Sequence, residues 1–122
     1  AILHQNAQVL MRMRQVTAAG NAILGCPLVW YEVRRGLIAR DSKRQMPYFE
    51  ALFAKFKWQN YTRADWELAA SWWAQRKAQG RPIGDADLLI AVFARNHGAV
   101  LVTDNAKDFD GLDVSLENWL KD

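Results

Sequence analysis

One cysteine, Cys26, and two histidines, His4 and His97, are all that this 122-residue chain offers to thiol or soft-metal chemistry. A lone cysteine cannot close an internal disulfide, which agrees with a reducing, cytoplasmic setting. Zinc sites made of Cys and His need more ligands than these. No apolar run approaches the roughly 20 residues that span a bilayer, which argues against a membrane protein. The phosphate-binding pattern GxxxxGK followed by Ser or Thr does not occur, nor does the dinucleotide pattern GxGxxG. No Ser–His or Cys–His couple stands out, because both histidines fall at expected helix ends and Cys26 lies in an apolar run. Repeats, low-complexity tracts and linkers are also missing, so the chain reads as one domain over 1–122.

What remains is globular composition. Hydrophobic residues make up 51% and charged residues 24%, and a chain of this length buries about two-thirds of its unfolded surface. The net charge is +3 and the isoelectric point near 9.3. That excess suits a polyanion partner but is common among ordinary proteins. Basic residues cluster at Arg34, Arg35 and Arg40, at Lys43 and Arg44, and at Arg76, Lys77 and Arg81. Solvated helix faces are the ordinary explanation of such clusters.

Periodicity predicts a first helix over 6–19, stopped by Gly20, then a short buried strand in "AILGC". Pro27 opens a helix to about residue 40, and Phe49, Leu52, Phe53 and Phe56 stripe another over 43–56. "WQNY" reads as a short strand or connection. Thr62 and Asp65 form a capping-box pattern before a helix ending at Gly80, with Trp66, Ala69, Ala70 and Trp73 expected as its core face. A helix over 86–97 ends at Gly98, and "AVLVT" reads as a buried strand. "DNAKDF" is a turn or short helix, "LDVS" an edge strand, and "ENWL" closes the chain. Strands separated by helices imply a parallel sheet in a three-layer α/β/α sandwich.

The acidic residues raise the functional question. Asp85 and Asp87 precede seven consecutive apolar residues, Leu88 to Ala94. Asp85 is the natural N-cap of that helix, and Asp87 lies in its first turn. Being apolar all round, the helix belongs between packed layers, so Asp87 needs hydrogen bonds, a cation or a metal ion. The plain alternative is reinforcement of the helix dipole. Glu32 repeats the arrangement: small residues follow it at Gly36 and Ala39, as Ala91 and Ala94 follow Asp87. Its plain alternative is an exposed i,i+3 pair with Arg35. Thr103, Asp104 and Asn105 come directly after "AVLV", where loops at the carboxyl ends of parallel strands form the ligand crevice; a turn at Asp104 or a cap at Thr103 would explain them otherwise. Oxygen-only donors gathered there select Mg²⁺ or Mn²⁺, a setting suited to phosphodiester hydrolysis.

The run "GRPIGDADLLIAVFARNHGAVLVTDNAKDF", with "ENW" near the end, resembles PIN-domain ribonucleases of the VapC toxin type. Their pattern is an Asp before an apolar "LLIA" helix, a glycine, a strand ending in Val-Thr, and Asn or Asp before a Phe. "CPLVWYEVRRGL" resembles their second motif, a Glu with a Gly four residues on. The resemblance covers essentially the whole chain. It implies an α/β/α fold with a parallel sheet, Mg²⁺-dependent RNA cleavage, homodimers and a cognate antitoxin. By position, Asp87 matches the metal-binding Asp, Glu32 the second-motif acid, and Asn105 the fourth position, with Asp104 a substitute or auxiliary ligand. The family opens with a strand ending in "DTN" or "DTD" whose Asp is a principal ligand, and "AILHQN" is similar to the residues just after that motif. The expectation is that the chain as given lacks this strand and Asp, so that it binds Mg²⁺ poorly and cleaves slowly or not at all, whereas a parent carrying them is active. The rival expectation is a non-catalytic PIN-like module that binds RNA or a peptide.

Overall fold

The computed structural model describes residues 15, 18–20, 22–103 and 106–118. Its contacts group into two compact units, one drawn from residues 1–59 and one from 60–121. The helix expected over 6–19 lies almost wholly outside the described residues. Its end is visible, where Ala19 N–H donates to the Gln15 carbonyl at 3.0 Å and Gly20 takes a positive φ of 86°.

In the first unit, strand β1 (Leu24–Gly25) runs parallel to β2 (Lys57–Trp58), with Leu24 opposite Lys57 and Gly25 opposite Trp58. Pro27 sits in the first turn of helix α1 (Pro27–Ala39), where its missing N–H costs nothing. The helix ends with Asp41 at φ 50°; Asp41 N–H donates to Ile38 O at 3.0 Å and Ser42 N–H to Leu37 O at 2.9 Å. These are the two bonds of a Schellman cap, made here without glycine. Helix α2 (Gln45–Ala54) buries Phe49. Phe49, Phe53, Phe56, Trp58 and Trp30 then form a chain of ring contacts with centroids 5.0 to 6.2 Å apart. Arg34 joins the two helices through Glu50 at 3.2 Å.

The second unit holds helix α3 (Arg63–Ala78), helix α4 (Asp85–Asn96), strand β3 (Val100–Val102), a 3₁₀ turn (Ala106–Phe109) and strand β4 (Ser115–Glu117). Strands β3 and β4 are parallel, Leu101 opposite Leu116. Schellman bonds end both helices. Arg81 N–H reaches Arg76 O at 2.9 Å after α3, and Ala99 N–H reaches Ala94 O at 2.8 Å after α4. Gly80 and Gly98 supply the positive φ that each turn requires. Ala69, Trp72, Ile83, Leu88, Ala91, Val92 and Phe109 make the buried core.

The α/β class and the parallel sense agree with the sequence reading; several placements do not. Among the described residues the strands form two separate two-stranded pairs, one in each unit. The strand expected in "LDVS" lies later, on Ser115–Glu117. "AVLVT" is not a buried strand, since Val100 and Val102 are exposed and, within β3, only Leu101 is partly buried. Of the expected core face of α3 only Ala69 is buried: Ala70 is exposed, and Trp66 is 53% and Trp73 43% exposed. The buried face runs instead through Asp65, Ala69, Trp72 and Arg76. Two charged residues occupy that face because each finds partners inside, so counting apolar residues chose the neighbouring stripe. Among the described residues no helix is long and apolar enough to cross a membrane.

Candidate active site

The N-terminus of α4 answers the question of the paired aspartates. Gly84, not Asp85, is the N-cap, with φ −67° and ψ 150°, and its carbonyl accepts from Leu88 N–H at 3.0 Å. Asp85 is therefore the first helical residue, exposed to water, while Asp87 is the third and half-buried. Position explains the difference. Asp87 lies on the side of α4 that carries Ala91 and Ala94, both buried.

The carboxyl of Asp87 is held above its ordinary pKa, first by burial and then by the negative charge of Asp108. Asp108 comes from the 3₁₀ turn, whose next residue, Phe109, is anchored in the core. A half-buried carboxylate within electrostatic reach of a second one is an arrangement that a cation stabilises. Mg²⁺ is commonly held by one or two carboxylates, the other positions going to water and substrate phosphate. Asp87 with Asp108 has the donor chemistry for that role. Among the described residues, no three of His, Cys, Asp and Glu gather as an ion-holding group.

The other expected residues have varied fates. Asp104 and Asn105 lie outside the described residues. Thr103 precedes them, and its N–H donates to Glu117 O at 3.0 Å, extending the β3–β4 pairing by one bond. Glu32 belongs to the first unit, on α1, with its side chain 31% exposed and its Oε2 3.6 Å from Arg35 Nη2. The plain i,i+3 pair is thus realised, and such a pair contributes a few tenths of a kcal/mol. His97 stacks on Phe93 with centroids 4.2 Å apart, and its Nδ1 lies 2.8 Å from the Phe93 carbonyl. That is the structural role expected of it. Cys26 is buried.

Sequence reasoning missed two residues. Asp108 was hidden by its neighbours, since "DNAKDF" offers three acidic or amide candidates and the motif pointed to Asp104 and Asn105. Arg76 was grouped with the solvated cations, but it is 6% exposed. Its guanidinium donates to Arg81 O at 2.8 Å, Asp110 O at 2.6 Å and Asp108 O at 3.2 Å. The periodicity of α3 was the available signal: Arg76 follows Trp72 by four residues and Ala69 by seven.

With this geometry in hand, the comparison with known proteins is direct. The model of the PIN domain matches residues 7–114, and the chain belongs to the PIN-domain family. Within it the likeness is to VapC proteins. A stretch of 51 residues is 47% identical to ribonuclease VapC1 of Haemophilus influenzae strain R2866, covering 40% of this chain and 38% of that protein. A stretch of 47 residues is 38% identical to the tRNA(fMet)-specific endonuclease VapC of Shigella flexneri, covering 38% of this chain and 36% of the relative. The matched stretches thus span little more than a third of these relatives. Among solved structures, VapBC-1 from nontypeable Haemophilus influenzae aligns with a TM-score of 0.82 at 25% identity, over 96% of this chain and 88% of that one. VapBC2 from Rickettsia felis, bound to a DNA fragment from its promoter, aligns with a TM-score of 0.84 at 23% identity, over 95% and 88%. The α/β fold is that of a PIN domain.

Proposed function

We propose that this chain, 1–122, acts as a single PIN-like domain that hydrolyses RNA phosphodiester bonds with the help of Mg²⁺ or Mn²⁺, as the toxin of a toxin–antitoxin pair. The observation that carries the reading is the half-buried Asp87, its carboxyl raised by burial and by Asp108, within a PIN-family chain. Asp87 is the principal ligand in this proposal, and Asp108 is its neighbour in the same unit. Glu32, Asn105 and Asp104 enter on their places in the sequence motifs alone. When bound, the divalent ion supplies a more acidic water and offsets charge on phosphate oxygens.

The chain's own residues do the rest. Asp87 is itself half-buried, which strengthens its interaction with any cation. The open N-terminus of α4 adds its dipole, favourable to anionic groups. Arg40, Lys43 and Arg44 are exposed and suit contact with an RNA backbone, a contribution that weakens as salt rises. The relatives' names, ribonuclease VapC1 and tRNA(fMet)-specific endonuclease VapC, support RNA as the substrate class. The VapBC assemblies among the structural neighbours support an antitoxin partner. A homodimer in the cytoplasm completes the proposal.

The test is cleavage of RNA by the purified chain in Mg²⁺, where even slow cleavage serves for the comparisons. Asp87→Asn is expected to lower the rate by more than about a hundredfold, since a ligand should matter at least as much as the groups that support one. EDTA should abolish the activity. Cleavage surviving both treatments defeats the proposal, and RNA binding without cleavage, indifferent to Asp87→Ala, favours a non-catalytic binding module.

A further inference from the structure

Arg76 presents an unexplained expense. A guanidinium at 6% exposure on the inner face of α3 must be desolvated, and an aliphatic residue would fill the same space without that cost. The hydrogen bonds say what is gained. Nε donates to Arg81 O at 2.8 Å, in the loop after α3. Nη1 donates to Asp110 O at 2.6 Å and Nη2 to Asp108 O at 3.2 Å. The last two carbonyls flank Phe109, the buried residue of the 3₁₀ turn.

A turn of four residues has little stability of its own. The Phe109 ring sets how deep the turn sits, but one anchored ring leaves the segment free to pivot. Two carbonyls gripped on either side of the ring remove that freedom. Arg81 assists, its Nη2 lying 3.4 Å from Asp110 O. The side chain that the fixed backbone carries is Asp108, in a turn that packs against α4, the helix of Asp87. We propose that Arg76 is a positioning residue: by holding the main chain on both sides of Phe109, it fixes where the Asp108 carboxylate stands relative to Asp87 on the neighbouring helix. The inference rests on the reading of these two acids as an ion-holding pair. Lysine cannot replace the fork, because its donors radiate from one nitrogen and do not match three carbonyls on two loops.

The experiment titrates Mn²⁺ into the full chain and follows it by electron paramagnetic resonance, with folding checked by circular dichroism. Wild type binds. Arg76→Lys, folded and with its charge kept, is expected to bind about tenfold more weakly or worse. Asp65→Ala, a change at another buried polar residue of the same unit, is expected to bind as wild type does while folded. In an Asp108→Asn background, Arg76→Lys should have no further effect. Should Arg76→Lys fail to fold, Arg76→Gln, which keeps two N–H donors on a shorter stem, takes its place in every comparison. Unchanged affinity in the Arg76 variant overturns the positioning role, as does an equal loss in Asp65→Ala or an undiminished effect in the Asp108→Asn background. A wild type that binds no Mn²⁺ overturns the metal reading itself, and this inference with it, whereas a binding wild type beside an indifferent Arg76→Lys overturns the inference alone.

Discussion

Asn96 donates from Nδ2 to Oδ1 of Asp65 at 2.6 Å, joining the last residue of α4 to the first turn of α3. The other oxygen of Asp65 is also engaged, accepting Thr62 N–H at 2.8 Å. Asp65 is only 1% exposed, so one carboxylate both caps α3 and clips the two helices together. Its replacement by Ala removes one arm of the capping box together with the bond from Asn96, a loss of about 2 kcal/mol. Asn96→Ala breaks one bond and spares the cap, and should cost about 1 kcal/mol. Urea unfolding of the two variants checks the order. Equal losses would mean that the clip, not the cap, carries the effect.

Asp87 makes a prediction about pH. A carboxyl whose pKa is higher in the folded state than in the unfolded one binds its proton more tightly when folded, so protonation favours the fold. Burial and Asp108 raise the Asp87 carboxyl. Near neutral pH its charge therefore weakens the ion-free protein, and Asp87→Asn should raise the melting temperature there. The advantage should shrink as pH falls through the native Asp87 pKa, and vanish below the ordinary carboxylate range, where Asp87 is neutral in both states. Divalent ion should reverse the ranking, stabilising wild type and not the variant. Thermal melts between pH 7 and pH 3, with EDTA or Mn²⁺, read all of this. A less stable Asp87→Asn at neutral pH would show that the helix dipole outweighs burial and repulsion.

The features legible in the sequence are those whose forces leave a local trace. Helix ends were legible because Pro27, Gly80 and Gly98 act through their own backbone; the end of α1 was found to within a residue although Asp41 makes that turn without a glycine. Asp87 was legible because an acid beside seven apolar residues violates the local pattern. Arg76 and Asp65 violate a pattern too, but on α3, where Trp66 and Trp73 supply a decoy stripe. Only the partners, carbonyls more than 30 positions away for Arg76 and Asn96 for Asp65, show which stripe is inside. Strands of two or three residues carry too few side chains to set a period, which is why β4 was misplaced.

Gly25 gives a packing prediction in the first unit. A Cβ there would stand 3.1 Å from Phe53 Cε1 and 3.4 Å from Trp58 Cα. The first distance requires the ring to give, and the second adds contact with the paired strand. Gly25→Ala should destabilise by about 1–3 kcal/mol, the usual cost of overfilling a packed site. Phe53→Leu removes the obstructing ring edge at its own cost. The double variant should then lose less than the sum of the singles, by about 0.5 kcal/mol or more. Strict additivity in denaturant melts would place the strain at the Trp58 backbone instead.

Glu32 offers the sharpest separation between a structural and a functional acid. Its geometry is that of a surface pair: Oε2 lies 3.6 Å from Arg35 Nη2, with 31% and 57% of the two side chains exposed. If the pair is its whole purpose, Glu32→Gln and Arg35→Ala are equivalent, each costing at most about 0.5 kcal/mol of stability and leaving RNA cleavage intact. The proposed function requires an asymmetry. Glu32→Gln is nearly isosteric and should leave the melting temperature almost unchanged while lowering Mg²⁺-dependent cleavage by about tenfold or more. Arg35→Ala breaks the same contact from the other side, and should leave the rate within about twofold, because its guanidinium also rests on the Tyr31 ring at 5.0 Å and such an exposed cation contributes little. Measuring rates at two Mg²⁺ concentrations sharpens the comparison, since a ligand's loss is partly recovered by more metal and a lost surface pair is not. Equal behaviour of the two variants would remove Glu32 from the proposed site and leave Asp87 and Asp108 as its acids.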